Sequence, residues 1–282
     1  VSVTTHAELH AAVTVYAAEH GVQAVFCEKP IAASLEEADE MIAACRANGT
    51  ILLIGHLRRY HSAFRNAASY ISSGALGALR EIHTIHTGKL FHTGTHSFDL
   101  ISMFADSPAA FVQASLDERT EEVSAEKLDH DVSGVGIVRF TNDITAFVHA
   151  RGTQPPLFDQ CFVCEKGQLA VYNNGTEWEL RMIEPVVRVQ PDGTKAWKEA
   201  PPVSKSIRRA LPFSVEINSM TLAAVDELVR VMDSGGNEAV SSTGEMGRLA
   251  LELGFGFIQS HKAGGKRISL PLRHRTQHIT AR

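Results

Sequence analysis

The apolar positions of the first 56 residues fall into two alternating textures. "VSVTT" at residues 1–5, "VQAVFCEKP" at 22–30 and "ILLIGH" at 51–56 are short apolar runs, a pattern that predicts buried strands. Between the first two, "HAELHAAVTVYAAEHG" sets Leu9, Val13 and Tyr16 at helical spacing and stops at Gly21. Between the second and third, "SLEEADEMIAACRANGT" opens on a capping box, Ser34 with Glu37 three residues on, and ends at Gly49. Strands separated by helices of this length suit a parallel sheet, because parallel neighbours cannot be joined by a tight turn.

From about residue 80 the pattern changes. "LREIHTIHTG", "AAFVQASLDE", "SGVGIVRFTN", "ITAFVHARG", "FDQCFVCEKG", "QLAVYNNG" and "EWELRMIE" follow one another through short polar turns, which predicts an antiparallel sheet. Gly152–Pro156 and "PPVSKSIRRALP" read as loops, and "SVEINSMTLAAVDELVRVMDSGG" and "SSTGEMGRLALELGFGFIQSHKAGG" as two helices. The expected fold is therefore α/β: a partial Rossmann-type parallel sheet over residues 1–57, then an α+β domain over 58–282 with a large open, mainly antiparallel sheet. The C-terminal helix is free to pack back on the first part, and a flat exposed sheet face suits a homo-oligomer contact.

Length and composition narrow the classes. The chain has 282 residues, enough for two domains, and is 44% hydrophobic and 21% charged without an apolar run long enough to span a membrane. A net charge of −5 leaves no electrostatic footprint for nucleic acid. Four cysteines and no signal peptide point to a reducing compartment, hence the cytoplasm.

Candidate chemistry gathers at three places. In open α/β sheets ligands bind beyond the carboxyl ends of the strands, where "CEKP" sets Glu28 and Lys29. A solvated turn lysine is the plain alternative there. In "FHTGTHSFDLISMF", His92, His96 and Asp99 recur at i, i+4 and i+7, which on one helix would suit zinc or iron. Gly94, flanked by Thr93 and Thr95 as candidate caps, instead predicts a helix starting near His96, which takes His92 off that face and leaves no metal site. "GHLRRYHSAFRN" offers Arg58 and Arg59 after a strand's end, able to hold phosphate or to hydrate a helix start. His83 and His86, like Cys161 and Cys164, are three apart in strands and point to opposite faces, so neither reads as a metal pair.

Taken in order, "CEKPIAASLEEADEMIAAC", "GHLRRYHSAFRNAASYISSGALGALREI", "GTHSFDLISMF" and "SSTGEMGRLALELGFGFIQSHKAGGKRISLPL" resemble the Gfo/Idh/MocA oxidoreductase family through essentially the whole chain. The resemblance implies a dehydrogenase or reductase using NAD or NADP on a sugar, cyclitol or related polyol. It implies that Lys29 hydrogen-bonds the reacting hydroxyl and that His96 accepts its proton, with Thr4, Thr5, His10, Glu28, Lys29 and Arg59 lining the cofactor. His92, the third catalytic candidate, stands where many members carry an acid, so a cyclitol-type triad does not carry over, and Asp99 is expected to steady its helix. The family's glycine-rich dinucleotide turn is not in the sequence, and the family plan places roughly seventy to ninety residues before Val1. The alternative reading is a catalytically silent sugar-binding or dimerising member that has lost cofactor binding.

Overall fold

The computed structural model describes residues 1–151, 157–183, 186–189, 192–193, 195–199, 202–205, 213–235 and 238–280. The first part is a three-stranded parallel sheet in the order β1 (Ser2–Val3), β2 (Ala24–Cys27), β3 (Ile51–Ile54). Its register sets Val3 beside Cys27 and Cys27 beside Ile54. Helices α1 (Ala7–Glu19) and α2 (Leu35–Asn48) make the crossovers. The capping box forms: Ser34 Oγ accepts from Glu37 N at 3.2 Å, and Glu37 Oε2 accepts from Ala33 N at 3.0 Å. Gly49 closes α2 in the left-handed conformation at φ 67°.

Helix α1 buries a different stripe from the one its large apolar residues suggest. Ala7, His10, Ala11, Thr14, Ala17 and Ala18 face inward, while Leu9 is 51% and Tyr16 63% exposed. The alanines let α1 lie close on α2 and the sheet, and small side chains there leave no room for the larger set.

A 3-10 turn (Leu57–Tyr60) and α3 (Ser62–Ser72) lead into β4 (Leu79–His86), α4 (Gly94–Ala105) and β5 (Ala109–Leu116). After the short β6 (Lys127–Leu128) come β7 (Gly134–Phe140), β8 (Thr145–Ala150), β9 (Phe158–Cys164), β10 (Gly167–Tyr172) and β11 (Glu177–Ile183). The hairpin β12 (Val186–Val189) and β13 (Lys195–Glu199) precedes β14 (Pro202–Lys205). The chain continues through α5 (Phe213–Asp233) and α6 (Gly244–Lys262) to β15 (Ile268–Ser269) and β16 (His278–Ile279). Nine strands form the large sheet, in the order β14-β11-β10-β9-β4-β8-β7-β5-β15, and every pairing is antiparallel except β4 with β8.

Two readings change here. Part of "PPVSKSIRRALP" is strand: Pro202–Lys205 pairs with β11 at the sheet edge, where a proline at the first position costs no ladder bond. The rest of that segment, and Gly152–Pro156, lie outside the described residues. Helix α4 begins at Gly94 rather than His96, with Thr93 before it making no side-chain cap.

The C-terminal helices return to the parallel sheet. On one face Val25, Cys27, Leu52 and Ile54 join the main core; on the other Ala24, Phe26 and Leu53 pack with Met220, Ala224, Leu228 and Val231 of α5. Strands covered on both faces read as unbroken apolar runs, as "ILLI" does. Helix α6 bridges both sheets: Gly244 and Gly247 lie against Leu52 and Ile54 of the parallel sheet, and "GFGF" at 254–257 faces the large sheet and α4. Phe255 packs on Phe91 at 5.1 Å and Phe257 on Phe98 at 5.3 Å. The glycines between them admit close neighbours: a Cβ on Gly254 would lie 2.8 Å from Phe91 Cε1, and one on Gly256 2.8 Å from Val112 Cγ2. Gly254→Val is therefore expected to destabilise by about 1–3 kcal/mol, seen as a lower urea midpoint at unchanged slope.

Candidate active site

Lys29 follows β2 at its carboxyl end, and the Lys29–Pro30 peptide is cis. The turn is bracketed from α1: the buried His10 ring sets Nδ1 2.9 Å from Pro30 O and Nε2 3.0 Å from Thr5 O, joining the loops that follow β1 and β2. Half-buried Lys29 reaches across to the other sheet, where its Nζ donates to His92 O at 2.6 Å. Burial pushes its pKa below the ordinary lysine value, against the pull of Glu28 and Asp131.

The carbonyl that receives Lys29 is itself held. Buried Asp131 accepts from His92 N at 2.7 Å, Val132 N at 2.8 Å and Phe91 N at 3.0 Å, so one carboxylate ties down the loop before α4. The His92 ring is exposed, and the Lys29 charge is the main cause that lowers its pKa.

His96 is the third residue of α4. Its Nδ1 is buried without a partner, which leaves Nε2 as the nitrogen able to meet a ligand. Burial first, then the charge of Arg58, then His56, Lys29 and His92, hold its pKa well below 6.5. His96 is thus a neutral imidazole at ordinary pH, which is what a proton acceptor must be. His56 lies edge-on to it with ring centroids 5.8 Å apart, and His86, at the end of β4, packs beside Gly94 and stacks on Phe158. Both are fully desolvated, with pKa values pushed down to about 4.

The two arginines divide their tasks. Arg59 is buried and grips Asp99 with both ends of its fork, Nε to Oδ2 at 3.0 Å and Nη2 to Oδ1 at 2.7 Å, while Nη1 donates to Ser241 O at 2.5 Å. Every nitrogen of the Arg59 guanidinium is thus engaged within the protein, so any contact it makes with a cofactor would be through packing rather than a free donor. Asp99 steadies the fold as expected, and its carboxylate also lies 3.5 Å from His56 Nδ1. Arg58 lies with its guanidinium 3.7 Å over Phe158 and one arm on Asn174 Oδ1 at 3.0 Å, so neither arginine merely hydrates a helix start.

Lys29, His92 and His96 are therefore brought together, with Glu28 beside them. Thr4 and Thr5 are exposed just beyond β1, at the same carboxyl edge of the parallel sheet, whereas His10 is buried as a bracket beneath it. Sequence reasoning missed His56, His86 and Asp131. His56 sat within "GHLRRY", whose position at a strand's end was the available signal. His86 drew notice only as half of a metal pair, and "DHD" at 129–131 gave no sign that its last acid is buried.

The opening segment, residues 1–56, matches the model of the oxidoreductase family with NAD-binding Rossmann fold, GFO_IDH_MocA. A solved levoglucosan dehydrogenase, in complex with NADH and levoglucosan, superposes with a TM-score of 0.76 over 96% of this chain and 80% of its own, at 17% identity. The opening segment thus carries the sequence pattern of that oxidoreductase family, and the chain as a whole shares the fold of the levoglucosan dehydrogenase. Among curated relatives, 2,7-anhydro-N-acetylneuraminate hydratase of Mediterraneibacter gnavus is 40% identical over 88 residues, 31% of this chain and 23% of that protein. The 1,5-anhydro-D-fructose reductase of Ensifer adhaerens is 26% identical across 94% of this chain and 78% of its own. The match spans about a quarter of the length of the Mediterraneibacter gnavus protein. Lys29 lies in the segment that matches the family model, at the end of a parallel strand, and His96 on the helix that packs against the large sheet.

The buried histidines carry a pH signature. Unfolded, each takes up a proton near pH 6.5; folded, His56 and His86 do so only near pH 4. Between these values the unfolded chain binds more protons, so stability falls as pH is lowered through that window, by up to ~1.4 kcal/mol per histidine per pH unit. His86→Phe, which keeps a ring against Phe158, is expected to reduce that slope by about half in urea titrations at stepped pH.

Proposed function

We propose that this protein is an oxidoreductase that transfers a hydride between NAD or NADP and a hydroxyl-bearing carbon of a sugar, cyclitol or related polyol. The observation that carries the proposal is the meeting of Lys29, held on the His92 carbonyl, with a neutral His96 across the two sheets. The relatives are named for inositol, 1,5-anhydro-D-fructose and 2,7-anhydro-N-acetylneuraminate, which supports a polyhydroxylated substrate.

The residues present fit the cofactor's reacting end. Exposed Thr4 and Thr5 and half-buried Glu28 stand at the carboxyl edge of β1 and β2, and His96 lies within electrostatic reach of Lys29. When bound, the nicotinamide supplies the hydride acceptor or donor. The chain's own residues handle the proton. Lys29 Nζ hydrogen-bonds the reacting oxygen and favours its developing negative charge. His96 Nε2 accepts the proton as the hydroxyl becomes a carbonyl, and returns it in the reverse direction. Asp131 keeps the loop in place, and with it the carbonyl that aims Lys29.

We also assign the outer face of the large sheet to a homo-oligomer contact. Ile85 is 45% and Phe147 38% exposed there, lining a cleft of about 440 Å³ with Val135 and Ile137. Among the described residues no helix is long and apolar enough to cross a membrane, and the four cysteines are free, which supports a cytoplasmic setting.

Two measurements test these assignments. Lys29→Ala and His96→Ala are each expected to lower kcat/KM for polyol oxidation by ~10²–10⁴, while the Kd for NADH, read by fluorescence titration, changes only a few-fold. Parallel loss of turnover and cofactor binding would make both residues structural. Ile85→Lys is expected to lower the mass seen by light scattering to that of a single chain, and an unchanged mass would remove that face from the assembly.

A further inference from the structure

Among the described residues no carboxylate pairs with the Arg58 guanidinium. Its guanidinium is stacked on Phe158 at 3.7 Å, and one arm is fixed by Asn174, a residue held in the left-handed conformation at φ 58°. The other terminal nitrogen, Nη1, is buried and has no acceptor among the described residues. Buried guanidinium groups are normally paired with a carboxylate, as Arg59 is with Asp99 a single residue away. Burial lowers the pKa of Arg58 to about 10, and among the described residues no acid offsets that cost.

The surroundings sharpen this. Arg58 acts electrostatically on Lys29, His86 and His96, so it stands within reach of the same volume as the reacting pair. His56, His86, His92 and His96 are all held toward the neutral form. Of the nearby acids, Asp99 is taken by Arg59 and Asp131 by three backbone N–H groups, while Glu28 answers Lys29. A chain of net charge −5 thus keeps one unanswered positive charge inside its site. Electrostatic complementarity calls for an anionic group on the ligand.

We infer that Arg58 receives a carboxylate, and that the substrate is a sugar or polyol acid rather than a neutral polyol. A planar carboxylate matches the remaining donor edge of a fork already half-used by Asn174, and its single charge balances the single unpaired cation. This rests on the assignment of Lys29 and His96 as the reacting pair.

Isothermal titration of the full chain, with NADH present, against matched sugars tests it: D-glucose, D-glucuronate and D-glucose 6-phosphate, and the corresponding galactose set. The carboxylated member of each set is expected to bind about tenfold or more tighter than the neutral one. Arg58→Gln is expected to erase that preference and Arg58→Lys to retain part of it, with thermal unfolding midpoints showing that both variants fold. Equal affinities, a preference for the phosphate, or a preference that survives Arg58→Gln would overturn the inference. Turnover of neutral polyols with loss in Lys29→Ala would leave the hydride-transfer reading standing while sinking this one. Binding of no sugar in either set would end both.

Discussion

The ion pair between Arg59 and Asp99 joins the parts of this molecule that have to meet. Arg59 follows the last strand of the parallel sheet, and Asp99 lies on the helix that carries His96 against the large sheet. The third guanidinium nitrogen reaches the Ser241 carbonyl, and Ser241 with Tyr60 binds Glu227 of α5. One buried network thus spans both sheets and the helices that return between them. A buried pair of this kind adds little net stability over apolar packing, because desolvation consumes most of its Coulomb energy. Its weight lies in what happens when the geometry slips: either charge left alone costs several kcal/mol, so the two sheets have one relative placement that satisfies both partners.

That placement also shapes the candidate site. Lys29 follows a strand of one sheet and the carbonyl it grips lies in the loop before the helix packed on the other, so the contact exists only in the docked arrangement. Desolvation acts on both: burial lowers the pKa of Lys29 and is the largest cause that lowers those of His56, His86 and His96. Arg58, stacked on Phe158, adds its positive charge to the same surroundings and helps to lower the pKa values of His86 and His96.

Much of the architecture was legible from periodicity. The three parallel strands, the capping box at Ser34, the run of antiparallel strands and the two long C-terminal helices all announce themselves through local pattern, because local backbone preference and burial agree there. Helix α1 is the instructive failure: Leu9, Val13 and Tyr16 have the spacing of a core face, yet the alanine stripe is buried, since close approach to α2 favours small side chains over large ones. The strand at Pro202–Lys205 was hidden because an edge strand needs only one partner and tolerates proline.

The site divides along the same line. The sequence by itself determined which residue types stand at strand ends and helix starts, and so singled out Lys29, His92 and His96, because those positions follow from chain-local geometry. Only the tertiary structure decided what each is worth. Arg58 and Arg59 are neighbours of identical chemistry, yet one grips a carboxylate while the other is stacked on a ring and held by an amide oxygen, and Asp131 holds a loop some forty residues earlier in the chain. Those roles depend on through-space partners and on exclusion of water, and neither quantity is written in the order of residues along the chain.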